Sequence, residues 1–117
     1  MLHLMHELTL AERAIDIVEA AARQAEANRV PHIRLAIGAL AHVDADRLQY
    51  CCEIVSRGTL TEGAQLIIER LPGRAWCKPC NANVVLDRIG EPCPLCTGYE
   101  LEITDGDQMQ VLDVRIE

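Results

Sequence analysis

The 117-residue chain has no phenylalanine, one tryptophan and two tyrosines, although half of its residues are apolar. Its core must therefore be built from Leu, Ile, Val and Ala, and a ring-lined pocket for a flat organic ligand is not expected. Basic residues are also scarce: 11 Lys and Arg against 18 Asp and Glu give a formal net charge of −7. That balance argues against nucleic acid, which is held by clustered cations. No apolar run is long enough to cross a bilayer. No basic segment followed by an apolar one marks a secretory leader near Met1 to Leu10. A cytoplasmic protein without membrane contact is the expectation. Catalytic patterns are missing as well. Gly38 and Gly58 are isolated rather than part of a phosphate loop, no carboxylates pair closely, and nothing resembles a Ser–His–Asp set. The chain is not expected to be an enzyme.

Cysteine is present in quantity: six residues, four of them in a C-x2-C-x12-C-x2-C array of Cys77, Cys80, Cys93 and Cys96. Each C-x2-C turn brings two thiolates to one side of an ion, and the twelve-residue arm returns the other two. Four soft thiolates in a closed tetrahedron suit Zn²⁺ and leave no open position for a substrate. Two disulfides or a redox pair are the alternatives, and the lack of a leader disfavours disulfides. Trp76 is expected to cover this knuckle. Cys51 and Cys52 fall on a helical stripe and are read as packed core thiols.

The remaining pattern is α/β. Thr9 and Glu12 stand as a capping box, so a helix is expected to begin after Leu8 and to bury Ala11, Ala14, Ile15, Val18, Ala21, Ala22 and Ala25. Residues 30–38 alternate as a strand with Ile33, Leu35 and Ile37 on one face. Asp44 caps a second helix with Leu48, Cys51, Cys52 and Val55 on its inner stripe, closed by Gly58. Ala64, Leu66 and Ile68 mark a second strand, and Pro72-Gly73 a break. Asn83–Leu86, Tyr99–Ile103 and Met109–Ile116 are further strands, the last two joined by a turn at residues 105–107. The expected architecture is a small mixed sheet with two helices, formed by residues 1–73 and 99–117. A zinc-ribbon-like knuckle, residues 74–98, is inserted in it.

Outside the array, Met5-His6-Glu7-Leu8 offers an imidazole, a carboxylate and nearby amides, a nitrogen-rich set that suits Ni²⁺ or Cu²⁺. By itself such a pair at a chain end is more often solvated than ligating. Met1-Leu2-His3 can also wrap such a cation through amine, amides and imidazole, a combination that arises easily by chance. His32 and His42 read as surface or satisfied residues.

Together these segments resemble the HypA (HybF) family of hydrogenase maturation nickel metallochaperones. The resemblance is carried by residues 5–9 (MHELT), 34–40 (RLAIGAL), 58–64 (GTLTEGA), 72–77 (PGRAWC) and 93–96 (CPLC) with Gly98 and Tyr99. It implies a nickel-binding α/β domain with an inserted zinc domain. Ni²⁺ would be cargo, held near Met5, His6 and Glu7 by the His6 side chain and N-terminal backbone nitrogens, with Glu7 assisting binding and docking. Zn²⁺ in the four cysteines would be structural. The implied partners are the GTPase HypB and the [NiFe]-hydrogenase large-subunit precursor, with the chaperone a monomer or weak homodimer. One departure is the four residues Met1–Leu4 ahead of the family's first Met. Translation from Met5 would remove it, and that is the expectation. The rival from another class is a zinc-ribbon interaction module with no nickel role. It explains the cysteines and the acidity but leaves Met5-His6-Glu7 to chance. Thiol oxidoreductase chemistry at Cys77 and Cys80 is a third reading, and it requires those sulfurs to be free of metal.

Overall fold

The computed structural model describes residues 2–117, with side chains from His6 onward. Eight elements follow in the order α1 (Leu2–Gln24), β1 (His32–Gly38), α2 (Ala45–Val55), β2 (Gln65–Leu71), β3 (Gly73–Cys77), β4 (Ala82–Leu86), β5 (Leu101–Asp105) and β6 (Met109–Arg115). Two three-stranded sheets result, with strand orders β2-β1-β6 and β4-β3-β5.

The first helix departs from expectation at its start. It begins at Leu2, so Thr9 lies inside it and does not cap it. The residues ahead of Thr9 are mostly strong helix formers with no Gly or Pro among them, and nothing there stops propagation. The buried residues Glu7, Ala11, Ala14, Ile15, Val18 and Ala22 then fall on one stripe at helical spacing. Ala21 and Ala25, expected inside, are exposed.

The second helix matches its pattern. The Asp44 side chain accepts from the Asp46 and Arg47 amides at its N-terminus, an interaction worth about 1 kcal/mol. Leu48, Cys51 and Cys52 are buried, while Val55 is only half-buried and the helix ends there, ahead of Gly58.

In the first sheet the Gln65 amide donates to the Pro31 carbonyl where β1 and β2 start. The Ala39 amide donates to Leu71 where they end, so these strands run parallel. A parallel pair needs a crossover, and α2 is that crossover. The last strand runs antiparallel to β1: the Gly38 amide donates to Gln108 at one end, and the Glu117 amide to Arg29 at the other. The sheet is therefore mixed. Ile33, Leu35 and Ile37 of β1 are buried, as their alternation requires. On its other face, Arg34 bridges the strands to Glu69 at 2.8 Å and Asp113 at 2.6 Å.

By chain contacts the molecule divides into two compact units. One runs to Ala36 and adds Val43–Glu69 and Gln110–Glu117, and the other comprises Ile37–His42 and Arg70–Met109. Tyr99–Ile103, grouped with the helices on sequence grounds, instead leads into β5, which pairs with β3. A β3–β4 hairpin alone would be marginal, and a third strand lets Leu101 and Ile103 share the face of Cys77 and Ala75. Pro72-Gly73 is also less of a break than expected, since β3 starts at Gly73 itself.

The second unit is laced by a contact between glycines that the sequence does not advertise. A Cβ on Gly38 would collide with the Gly106 carbonyl, one on Gly106 with Pro72 and Gly73 backbone, and one on Gly73 with Leu40. Three chain segments therefore cross at backbone distance, and Gly106 additionally has a φ of 84° in the β5–β6 turn.

Candidate metal centre

The β3–β4 hairpin and the entry to β5 bring the four array cysteines to one end of the second sheet. Cys77 is the last residue of β3 and pairs with Ala82 across the hairpin and with Leu101 of β5. Cys80 therefore sits in the hairpin turn, while Cys93 and Cys96 come from the β4–β5 loop. In that loop the Glu91 carboxylate accepts from the Asp87 and Arg88 amides at 2.8 and 2.7 Å. The Cys93 amide donates to Gly98 and the Thr97 amide to Cys93, both at 2.8 Å, which closes a tight turn around Cys96. The residues after each C-x2-C, Asn81 and Thr97, adopt left-handed backbone at φ 52° and 61°.

All four sulfur atoms lie within 4.8 Å of one another. Cys77 Sγ is 3.6 Å from Cys96 Sγ, and Cys80 Sγ is 4.0 Å from Cys93 Sγ. A tetrahedral ZnS₄ centre with bonds of 2.3 Å has sulfur–sulfur edges of about 3.8 Å, so the cluster has the required size. Cys77 and Cys93 are buried, Cys80 is intermediate and Cys96 is exposed, so one edge of the site meets solvent.

The thiols are electrically unequal. Burial alone would raise the Cys93 thiol, but donors including the Cys96 and Leu95 amides bring it down to about 7. The Cys80 thiol is pushed up to about 12, first by its contact with Cys96, then with Cys77, and then by burial. Four adjacent sulfurs cannot all carry charge without a cation among them, and a dication supplies the missing charge. The donor set is closed and all-sulfur, which fits structural Zn²⁺ and leaves no ligand position for catalysis.

Trp76 does not cover this cluster from the core side. Alternation along β3 puts it on the face opposite Cys77, between Asn83 and Glu102 on the neighbouring strands.

The other expected metal residues are arranged differently. His6 and Glu7 are consecutive on α1 and so project about 100° apart around its axis. His6 is exposed, whereas Glu7 is wholly buried. One carboxylate oxygen of Glu7, Oε2, accepts the Asp44 amide at 3.1 Å at the start of α2. The other, Oε1, is buried without a partner. Asp44 is recognisable in the sequence as a cap, but its bond to Glu7 is not. The available signal was helical spacing, since Glu7 precedes Ala11 by four and Ala14 by seven on the buried stripe. Met5 is in the helix with Leu2 and His3, but the side chains of all three, and the whole of Met1, lie outside the described residues. His32 is half-buried in β1, and His42 is exposed with a φ of 56°. Among the described residues the four cysteines are the group able to hold a metal with three or more side chains.

Residues 5–116 match the family model described as "Hydrogenase/urease nickel incorporation, metallochaperone, hypA". The chain belongs to the HypA family. Hydrogenase maturation factor HypA of Azotobacter chroococcum mcd 1 is 42% identical over 113 residues, which is 97% of this chain and all of that protein. The HypA of Azotobacter vinelandii aligns with the same identity and coverage. The solution structure of the Ni metallochaperone HypA from Helicobacter pylori has the same fold. Its TM-score is 0.69 at 20% identity, covering 94% of this chain and 96% of that one. HypA is a family of metallochaperones in hydrogenase maturation rather than of enzymes. Among the described residues no helix is long and apolar enough to cross a membrane.

Proposed function

We propose that this HypA-family protein binds Ni²⁺ near the start of α1 and helps to insert it into the [NiFe]-hydrogenase large-subunit precursor, in the cytoplasm and alongside the GTPase HypB. His6 is the side-chain ligand, and backbone nitrogens around Met5 complete a nitrogen-rich set. The residues bearing α1 and α2 act as the nickel domain, and the cysteine array with its flanking strands acts as the zinc domain.

The observation that carries this reading is the exposure of His6 beside a fully buried Glu7. An exposed imidazole on an anchored turn can take up an ion and give it away again. Glu7 supports it from below by fixing that turn to the Asp44 amide. The amides of residues 2–4, at the start of α1, also lack intrahelical acceptors, so backbone nitrogen is available in the turn before His6. Incomplete ligation by protein side chains suits a carrier, since a closed site would retain its cargo. The protein acts as a monomer or weak homodimer.

The test is nickel titration of the zinc-loaded protein beside zinc-loaded His6→Ala. We expect the variant to lose the nickel site and keep its fold, because His6 is exposed. Equal stoichiometry and affinity in the two proteins would remove His6 from the site. Affinity capture from nickel-replete and nickel-starved cells separates the chaperone from a zinc-ribbon interaction module, because the chaperone alone requires a hydrogenase precursor as client.

A further inference from the structure

Three of the four array sulfurs are at least partly withdrawn from solvent, and Cys96 is the exposed one. Coordination to a dication would keep its thiol deprotonated, which is the form that attacks oxidants. Its surroundings leave it open. Leu95 and Tyr99, on either side in the chain, are 69% and 70% exposed, so neither large side chain is packed down over the knuckle. Thr97 spends its hydroxyl on the Cys96 carbonyl at 2.6 Å. The decisive neighbour is Gly98: a Cβ there would stand 3.4 Å from Cys96 Sγ, in contact with it. The missing side chain leaves one flank of the sulfur bare.

The same sulfur has a reaction partner in place. Cys77 Sγ is 3.6 Å away, buried at the end of β3. The other pair, Cys80 and Cys93, is 4.0 Å apart, and the Cys93 sulfur already accepts the Leu95 amide at 3.4 Å. The first unit supplies the contrast. Cys51 and Cys52 are buried there, and burial raises both thiols, Cys52 to about 12, so they stay uncharged at neutral pH.

We propose that Cys96 is a peroxide-reactive modification site, and that its oxidation exchanges the metal staple for a Cys77–Cys96 disulfide. The Cys96 thiolate attacks one oxygen of hydrogen peroxide, the O–O bond breaks, and hydroxide leaves as a sulfenic acid forms. The Cys77 thiolate then attacks that sulfur, the S–O bond breaks, and a second hydroxide leaves as the disulfide forms. Two protons from solvent convert both hydroxides to water, and the two electrons given up by the sulfurs have reduced the peroxide. A sulfur–sulfur bond is far shorter than an edge of the metal tetrahedron, so one pair cannot serve both. Cys80 and Cys93 alone then remain as donors, and the ion is released. The step occurs once per protein and turns nothing over, unlike an oxidoreductase. It rests on the all-sulfur metal site and uses neither His6 nor nickel.

The experiment adds hydrogen peroxide to the zinc-loaded full chain and follows freed zinc with a zinc-responsive dye. Zinc release in step with peroxide consumption is expected, and dithiothreitol with added zinc should restore the loaded protein. Peptide mapping after thiol blocking should find Cys77–Cys96 as the first cross-link, with Cys51 and Cys52 still reduced. Gly98→Ala, whose methyl covers the bare flank, should bind zinc like the parent and release it about threefold or more slowly. Dimedone, which traps sulfenic acid, should label Cys96 first in the parent, a readout that needs no variant. Zinc retained at peroxide concentrations that oxidise free cysteine would overturn the proposal. So would first labelling at another cysteine, a different first cross-link, or equal release rates in parent and variant at equal zinc content.

Discussion

Around α1 and α2 the buried side chains include Ala11, Ala14, Ile15, Val18, Leu48 and Cys51, and the two helices pack on each other. Around β3 the buried cluster comprises Leu40, Ala75, Val84 and Leu86 with Cys77 and Cys93, so two of its six members are metal-site sulfurs. The first region has an ordinary aliphatic core and leaves an imidazole exposed on top of it. The second has too little apolar volume to stand alone and converges four sulfurs instead. A domain this small needs a staple, and a metal held by the four sulfurs would be part of its core. On the proposed function, the comparison separates resident from cargo. Converging donors with no open position would retain an ion, whereas one exposed imidazole over a buried carboxylate would leave most of the coordination sphere to be supplied and withdrawn.

Metal removal should break the comparison most strongly. Chelation, or Cys93→Ser, should abolish amide protection in β3, β4 and β5 while the buried amides of α1 and α2 stay protected. The lost metal contribution is on the order of 10 kcal/mol. Hydrogen exchange before and after chelation reads this directly, and retained protection in β3 would show that the strands stand without the ion. Gly38→Ala attacks the same region without touching a sulfur. Its new methyl meets the Gly106 backbone, which cannot move as a side-chain tip could, and a cost of about 3 kcal/mol is expected in denaturant unfolding. A neutral result would mean that the crossing is looser than these contacts imply.

In the first region the sharper test is Glu7→Ala. It leaves the part-buried Asp44 amide without its acceptor, and a loss of about 2 kcal/mol should follow, with zinc content unchanged. If stability is untouched but nickel binding falls, Glu7 acts on the ion rather than on the helix pair. The smallest effect concerns pH. Cys52 is raised from 9.0 to about 12, by burial first and then by Cys51 and Glu53. The unfolded thiol ionises first, so its stabilising share is complete below pH 9 and disappears as pH rises towards 12. Unfolding followed across that window should show a shallower decline for Cys52→Ala than for the parent. Identical slopes would mean that Cys52 reaches solvent in the folded state.

Much of this was legible in the residues. The spacing of the four cysteines, the Asp44 cap and the stripe of Leu48, Cys51 and Cys52 each rest on local periodicity, and each recurs in the structure. The start of α1 was misread because a capping box at Thr9 and Glu12 is a permissive signal. It allows a helix to begin there but does not prevent one from beginning earlier. Trp76 was expected to cover the knuckle from its place next to Cys77, and strand alternation puts it on the opposite face of β3 from Cys77.

The sequence by itself determined which cysteines pair as C-x2-C turns and can converge, because that spacing constrains its sulfurs locally whatever surrounds it. It also determined the aliphatic character of the core and the acidity of the surface. Tertiary structure alone decided that β5 joins β3, that Gly38, Gly73 and Gly106 meet, and that Glu7 is buried against Asp44 while its neighbour His6 faces water. Those outcomes join residues tens of positions apart. They depend on which surfaces are left to cover once the local elements have formed, and local spacing carries no record of that.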